Sequence, residues 1–386
     1  MREPQVAIAG CGVICATGKG VPALNAALRT NSSHLRPNER FTGTRFQSPI
    51  VGTAPLEASD NPAHQLATTA LQEAIAAAND GGARPTLDIL PDRLGLVLST
   101  TKANIEALER LSDSRPCSDV ARRHLQAELL AADLATEFGA RGPVQNISNA
   151  CVSGLVALMQ GAKLIQRGAA DAVLVVGVDH LSAFVVGGFT ALKAIDPEGC
   201  RPFDQNRRGL SPGEAGAAIV LVRADRAPKP TITLSGWGSS NDANHMTGPS
   251  RDGAGLAHAI RSALQTAELQ PQQIDYVNVH GTGTPYNDAM ESAALRNIFG
   301  ETIPAISGLK GMLGHTLGAA GVVETIACVQ AMREQFLPGT PRLQTIAEGL
   351  PQSLVLTPRH NATLKQVLKL NTGFGGVNGA VILSHE

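Results

Sequence analysis

The strongest constraint on this chain is a recurring short, largely apolar run, at residues 6–9, 94–98, 172–178, 217–222, 274–279, 367–370 and 380–383. Runs of this kind, rich in Val, Ile and Leu and without regular polar alternation, are strands buried on both faces. Ala-rich stretches long enough for helices lie between them, so the pattern predicts α/β layers in which helices cover buried sheets. At 386 residues the chain buries roughly three quarters of its extended surface on folding and needs no disulfide staples. No run reaches the ~18 to 20 apolar residues of a membrane-crossing helix. The apolar start at residues 6–16 follows Glu3 and is interrupted by Gly10-Cys11-Gly12, which reads as a first buried strand rather than a secretory signal.

The polar connector Arg223-Ala224-Asp225-Arg226-Ala227-Pro228-Lys229-Pro230 divides the chain into halves, 1–225 and 226–386. Each half opens with a strand followed by what reads as a glycine turn, Ile8-Ala9-Gly10-Cys11-Gly12 and Leu234-Ser235-Gly236-Trp237-Gly238, which suggests an internal duplication. Residues 31–62 and 112–124 are polar without a period and read as surface loops.

Composition excludes some functions. Thirty-two Lys+Arg against 33 Asp+Glu leave a net charge of −1, and aromatics are 3% of the chain. A nucleic-acid protein needs a basic face or stacking platforms, and a membrane-surface protein needs the former. Cysteines 11, 15, 117, 151, 200 and 328 are scattered, as reduced thiols of a cytoplasmic protein are. Cys11 and Cys15 lack the partner pair of a zinc site, so no metal is expected. Gly10-Cys11-Gly12-Val13-Ile14-Cys15 misses the dinucleotide fingerprint at its third glycine, and there is no Walker loop.

The reactive candidates fall beside predicted strands and helix starts. Cys151 follows the loop 142–150 and precedes residues 152–167, apolar on nearly every face, which predicts a buried helix with a thiol at its N-terminus. A helix start favours thiolate, the nucleophilic form. Taken alone, Cys151 fits two readings, nucleophile and small buried hydrophobe. His280 closes the run 274–279 and opens His280-Gly281-Thr282-Gly283-Thr284-Pro285, at the carboxyl end of a strand, where α/β folds place ligands. Lys310 and His315 lie in Ser307-Gly308-Leu309-Lys310-Gly311-Met312-Leu313-Gly314-His315, ahead of a helix predicted over 316–332 whose dipole would keep His315 neutral. Each histidine alone also fits a structural role. Gly373-Phe374-Gly375-Gly376 is either a tight turn between strands or a backbone that presents N–H groups to an oxyanion.

Together these segments resemble the elongating β-ketoacyl-acyl carrier protein synthases, the KAS I/II branch of the thiolase-like superfamily. The resemblance spans nearly the whole chain. It rests on Asn149-Ala150-Cys151, Arg201-Pro202-Phe203-Asp204 through Gly213-Glu214-Ala215-Gly216, His280-Gly281-Thr282-Gly283-Thr284-Pro285 with Asp288, Lys310 to Gly314-His315 with Gly318-Ala319-Ala320-Gly321 and Glu324, and Gly373-Phe374-Gly375-Gly376. It implies a five-layered αβαβα fold of two duplicated halves and a decarboxylative Claisen condensation that extends an acyl chain by two carbons. Cys151 would hold the acyl group. His280 and His315 would stabilise the enolate of a malonyl thioester, and Lys310, paired with Glu324, would set the local field.

By the same resemblance, the N–H groups of Cys151 and Phe374 would form an oxyanion hole, with Phe374 and Gly375 at a gate. Asp288 would support the site, and Thr282 and Thr284 would bind the phosphopantetheine arm of an acyl carrier protein. No cofactor is implied. The chain would be a homodimer, or a heterodimer with a chain length factor-like homologue, and Arg207 and Arg208 are candidates for carrier docking as well as for plain solvated surface.

Several positions depart from the family pattern: Val152 after the nucleophile, Gly308-Leu309-Lys310-Gly311 around the lysine, and Leu370-Asn371-Thr372 where an aromatic normally lines the site. Residues 239–245 with Arg207-Arg208-Gly209 are similar to synthases of aryl polyenes. A catalytically silent chain length factor is disfavoured by Cys151, the two histidines and Lys310. A CoA-dependent thiolase is disfavoured because no cysteine follows Cys328.

Overall fold

The computed structural model describes residues 4–41, 46, 50–79, 89–227 and 231–385; residues 228–230 of the connector and part of the segment 31–62 lie outside that set. In the first half the main strands are β1 (Val6–Cys15), β2 (Leu94–Ser99), β3 (Val144–Ile147), β4 (Ala172–Asp179) and β5 (Ala215–Arg223). In the second they are β6 (Ile232–Asn241), β7 (Tyr276–Asn278), β8 (Ala305–Ser307), β9 (Gln366–Gly373) and β10 (Val377–His385). The first half runs in the order β1-β5-β4-β2-β3 and the second in the order β6-β10-β9-β7-β8. Position for position the orders coincide, and so do the directions: two antiparallel pairings followed by two parallel ones. β1 and β6 pair antiparallel at Val6–Leu234 and Ala7–Thr233, which joins the two sheets.

Helices α1 (Pro62–Asn79) and α2 (Ala127–Glu137) cover the outer face of the first sheet, and α5 (Ala254–Ala267) with α6 (Pro285–Phe299) covers that of the second. Between the sheets lie α3 (Ser153–Gln166) and α7 (Ala320–Arg333). A further helix, α4 (Ala183–Ala191), lies between β4 and β5 in the chain. Strand alternation accounts for the layering. Along β4, Leu174, Val176 and Val178 enter the outer core while Val173 and Val175 enter the central one; along β5, Val220 and Val222 face out while Ile219 and Leu221 face in. The continuous apolar runs follow because both faces are dry.

The paired Gly-x-Gly motifs are not turns. Gly10 and Gly12 lie inside β1, and Gly236 and Gly238 inside β6. A Cβ on Gly10 or Gly12 would come within 2.1 Å of the Ala74 or Ala70 carbonyl oxygen on α1; on Gly236 or Gly238 it would come within 2.3 or 2.2 Å of those of Ala263 and Ala259 on α5. The glycines let each outer helix rest on strand backbone, and the duplication extends to this contact.

Residues 112–124, expected as loop, contain the end of the helix Ile105–Ser112 and a short helix, Asp119–Arg123. The Ser118 hydroxyl caps the latter by accepting the Ala121 N–H at 3.1 Å. The two central helices cross at Gly154 and Gly321. A Cβ on Gly154 would lie 2.8 Å from the Val322 nitrogen, and one on Gly321 would lie 2.5 Å from that of Leu155.

Replacing Gly12 by Val should destabilise the protein by about 2 kcal/mol or more through overpacking against α1. Gly238→Val should do the same against α5. Chemical denaturation checks both, and a neutral result at either position would contradict the close helix contact.

Candidate active site

The central crossing brings the chain segments before α3 and α7 together. Ahead of α3, Ala150 adopts φ 47°, an unfavourable conformation for a residue with a Cβ. Ser153 holds this bend: its hydroxyl donates to the Ala150 carbonyl at 2.6 Å and accepts the Asn149 N–H at 2.7 Å. The bend aims Cys151, two residues before the helix, into a cavity of about 580 Å³. Gly373, at the end of β9, passes so near that a Cβ would lie 3.1 Å from the Cys151 nitrogen.

His315 Nε2 lies 3.0 Å from Cys151 Sγ. The His280 and His315 rings are 5.0 Å apart, edge to face at 83°. The sulfur and one nitrogen of each ring lie within 4.8 Å of one another. Each ring's outer nitrogen meets a donor. His315 Nδ1 accepts the Leu317 N–H at 3.2 Å, while His280 Nδ1 faces the Lys310 ammonium at 3.1 Å and the Asn371 amide nitrogen at 2.9 Å. With Nδ1 an acceptor in both rings, the neutral imidazoles carry their protons on Nε2. Two Nε2–H donors therefore serve the neighbourhood of the sulfur.

Burial, followed by the Lys310 ammonium, holds both imidazoles well below the usual histidine range. His315 does not sit at a helix start as expected. A 3-10 turn, Leu317–Ala319, separates it from α7, and burial with nearby ammonium groups takes the place of the helix dipole. The thiolate expectation is also corrected. Burial pushes the Cys151 thiol up to about 11, against the opposing pull of Lys310 and the Phe374 N–H.

Lys310, fully buried, donates to the His280 carbonyl at 2.5 Å and to Glu324 Oε1 at 2.7 Å. On the far side of Glu324 stands a second buried lysine, Lys369, 2.6 Å from Oε2. Burial would raise the Glu324 carboxyl, but the two ammonium groups outweigh it and hold the carboxyl below its ordinary value. The His280 loop is fixed from beneath by Glu291, which accepts the N–H groups of His280 and Gly281 at 2.6 and 2.7 Å. Asp288 accepts those of Phe203 and Gly283, at 2.8 and 3.2 Å. Burial pushes Glu291 up to about 7 and Asp288 up to about 6.

Thr282 and Thr284 both line the cavity, with hydroxyls 2.8 Å apart. Phe374 stands at the cavity, partly exposed, its ring 6.0 Å from that of Phe189 on α4. Gly375 is not a donor to the site, because its N–H is taken by the Met246 carbonyl at 2.7 Å. Arg208 lines the cavity, while Arg207 turns inward, 3.6 Å from Asp288. Ser153, Glu291, Lys369 and Asn371 were not singled out as site residues from the sequence. The available signal was a polar side chain in an otherwise apolar run, and at Lys369 and Asn371 its spacing of two on a buried strand. Cys151, His280 and His315 have the donor types and spacing of a soft-metal site, but the Lys310 ammonium beside His280 opposes a cation there.

A buried cysteine sulfur beside paired imidazoles, at the meeting of two repeated α/β halves, is the arrangement of a thiolase-like condensing enzyme. The chain belongs to the beta-ketoacyl synthase family, whose N-terminal domain matches residues 3–227 and whose C-terminal domain matches residues 232–344. It is 31% identical to the tetracenomycin polyketide synthase ketoacyl synthase alpha subunit of Streptomyces glaucescens, over 99% of this chain and 97% of that one. It is 29% identical to the 3-oxoacyl-[acyl-carrier-protein] synthase 2 of Coxiella burnetii, over 100% and 99%. Among solved structures it resembles the ishigamide ketosynthase/chain length factor (TM-score 0.90, 28% identity, 100% of both chains). It also resembles a ketosynthase in complex with its chain length factor from Xenorhabdus doucetiae (TM-score 0.87, 28% identity, 99% and 98%). The protein is a condensing acyltransferase: it joins an enzyme-bound acyl group to a malonyl unit with loss of CO₂ and forms a 3-oxoacyl thioester.

Alkylation of Cys151 by iodoacetamide, followed by intact mass, should quicken steadily between about pH 7 and about pH 10 as thiolate forms. A rate already level near pH 7 would show a thiolate at rest.

Proposed function

We propose that Cys151 carries the growing acyl chain and that His280 and His315 hold the enolate that extends it. One observation carries this reading: both imidazoles are confined to the tautomer that donates from Nε2, beside one buried sulfur. In the first half-reaction the Cys151 sulfur attacks the thioester of an acyl carrier protein, its proton passes to the departing pantetheine thiolate, and acyl-cysteine remains. The N–H groups of Cys151 and Phe374 stabilise the oxyanion of that step. In the second, a malonyl thioester loses CO₂ and its electron pair forms an enolate. The enolate oxygen accepts from the two Nε2–H groups, and its carbon attacks the acyl-cysteine carbonyl. The carbon–sulfur bond then breaks, and a solvent proton restores the thiol.

Thr282 and Thr284 hold the pantetheine arm in the cavity, Asp288 supports the loop that carries them, and the Phe374 ring gates the acyl side. No cofactor takes part. The substrates arrive on an acyl carrier protein, and the chain works in the cytoplasm. The enzyme acts in a specialised polyene or polyketide route as the catalytic subunit beside a chain length factor-like homologue. That reading is supported by the ketosynthase/chain length factor pairs among its structural relatives and by the polyketide synthases among its sequence relatives. Thr372, in the segment where the family places an aromatic, also lines the cavity and suits a chain other than a straight saturated one.

Cys151→Ala should accept no acyl group and elongate nothing, while still releasing CO₂ from malonyl carrier protein. His280→Ala and His315→Ala should each lower that release by about 10² to 10³-fold, the usual loss of an oxyanion donor. Elongation by Cys151→Ala, measured by product mass, would overturn the assignment.

A further inference from the structure

β9 turns two polar side chains toward the site. Leu368 and Leu370 face the outer core under α5 and α6, and Val367 faces the central core. Strand alternation places Lys369 and Asn371 on the same side as Val367. Both are fully buried. Lys369 Nζ lies 2.6 Å from Glu324 Oε2 and donates to the Leu370 carbonyl at 2.6 Å and the Val279 carbonyl at 3.4 Å. Asn371 reaches His280 Nδ1, the nitrogen that Lys310 also approaches.

The charges set the problem. Lys310 and Glu324 already form a neutral buried pair at 2.7 Å. A second ammonium is not needed to compensate Glu324, and burying it is costly in a dry interior. It leaves Lys310, Glu324 and Lys369 with one surplus positive charge, immediately behind His280. Negative charge develops on the other side of that imidazole when malonate loses CO₂.

We propose that Lys369 is a positioning residue of the condensation: the surplus positive charge it creates with Lys310 and Glu324 acts through His280 to favour the enolate. This rests on the enolate role given to His280 above. The polarised ring donates more strongly from Nε2, and the field lowers the energy of an anion held against these buried side chains. The same charge resists protonation of His280. The ionisable and charged groups around that ring are Lys310, His315, Glu291, Glu324, Lys369 and the Cys151 thiol.

The test compares Lys369→Met, Lys369→Arg and the double variant Lys369→Met/Glu324→Gln, each with its partner subunit where one is required. Hexanoyl-loaded and malonyl-loaded acyl carrier proteins are the probes. Lys369→Met, which neutralises the cluster, should slow malonyl decarboxylation by about tenfold or more, the scale of one removed charge in a dry site. Hexanoyl transfer to Cys151 should change less than about threefold, since no enolate forms there. The acid limb of the decarboxylation profile should move to higher pH, because an imidazole freed from the extra charge is protonated more readily.

Lys369→Arg keeps the charge and should keep the acid limb in place. The double variant restores one net positive charge through Lys310 alone and should move the limb back toward the parent position. An unshifted limb in Lys369→Met, or equal losses in both half-reactions, overturns the proposal and leaves Lys369 a packing residue. Should the parent enzyme neither take hexanoate on Cys151 nor decarboxylate the malonyl probe, the reading of the whole site fails instead.

Discussion

The architecture depends on the close crossing of α3 and α7 at Gly154 and Gly321. Each glycine lies against the backbone of the opposing helix, so a methyl group at either would drive the helices apart. Three groups of the site hang from segments that enter this crossing, Cys151 three residues before Gly154 and Lys310 and His315 ahead of Gly321, while His280 joins them from the end of β7. The repeated strand order explains why there are two such segments and why they meet. Chemistry arises where the halves differ, with a thiol on one approach and an imidazole on the other.

The electrostatics follow from burial. Burial raises the Cys151 thiol and lowers both imidazoles, which suits a site whose rings must donate without losing a proton. The same burial raises the cost of the Lys310, Glu324 and Lys369 charges. It is offset by short contacts on both carboxylate oxygens and by backbone carbonyls around each ammonium. Glu291 and Asp288 apply the same economy to the His280 loop, accepting backbone N–H groups that would otherwise be buried without partners.

Much of the fold was legible because the strands are buried on both faces and so read as continuous apolar runs. The glycines of β1 and β6 were legible as a repeat but not as strand interior, since local sequence does not distinguish a turn from a strand pressed against a helix. Cys151, His280, Lys310 and His315 were found because each follows a strand or precedes a helix in a glycine-rich segment. Lys369 and Asn371 were missed as site residues because their role depends on which face of β9 meets α7, a tertiary fact. At Cys151 the local and tertiary signals oppose each other: a position just ahead of a helix favours thiolate, whereas burial, set by the whole pocket, raises the thiol. The short helix after Ser118 was hidden by the polarity of its residues.

The central claim is that two neutral imidazoles offer Nε2–H to one reacting centre. Nitrogen-15 NMR of the intact enzyme, with the His280 and His315 signals assigned through single replacements, reads tautomer and charge directly. At about pH 7 both rings should be neutral with the proton on Nε2. A proton on Nδ1 of either ring, or an imidazolium at that pH, would contradict the account.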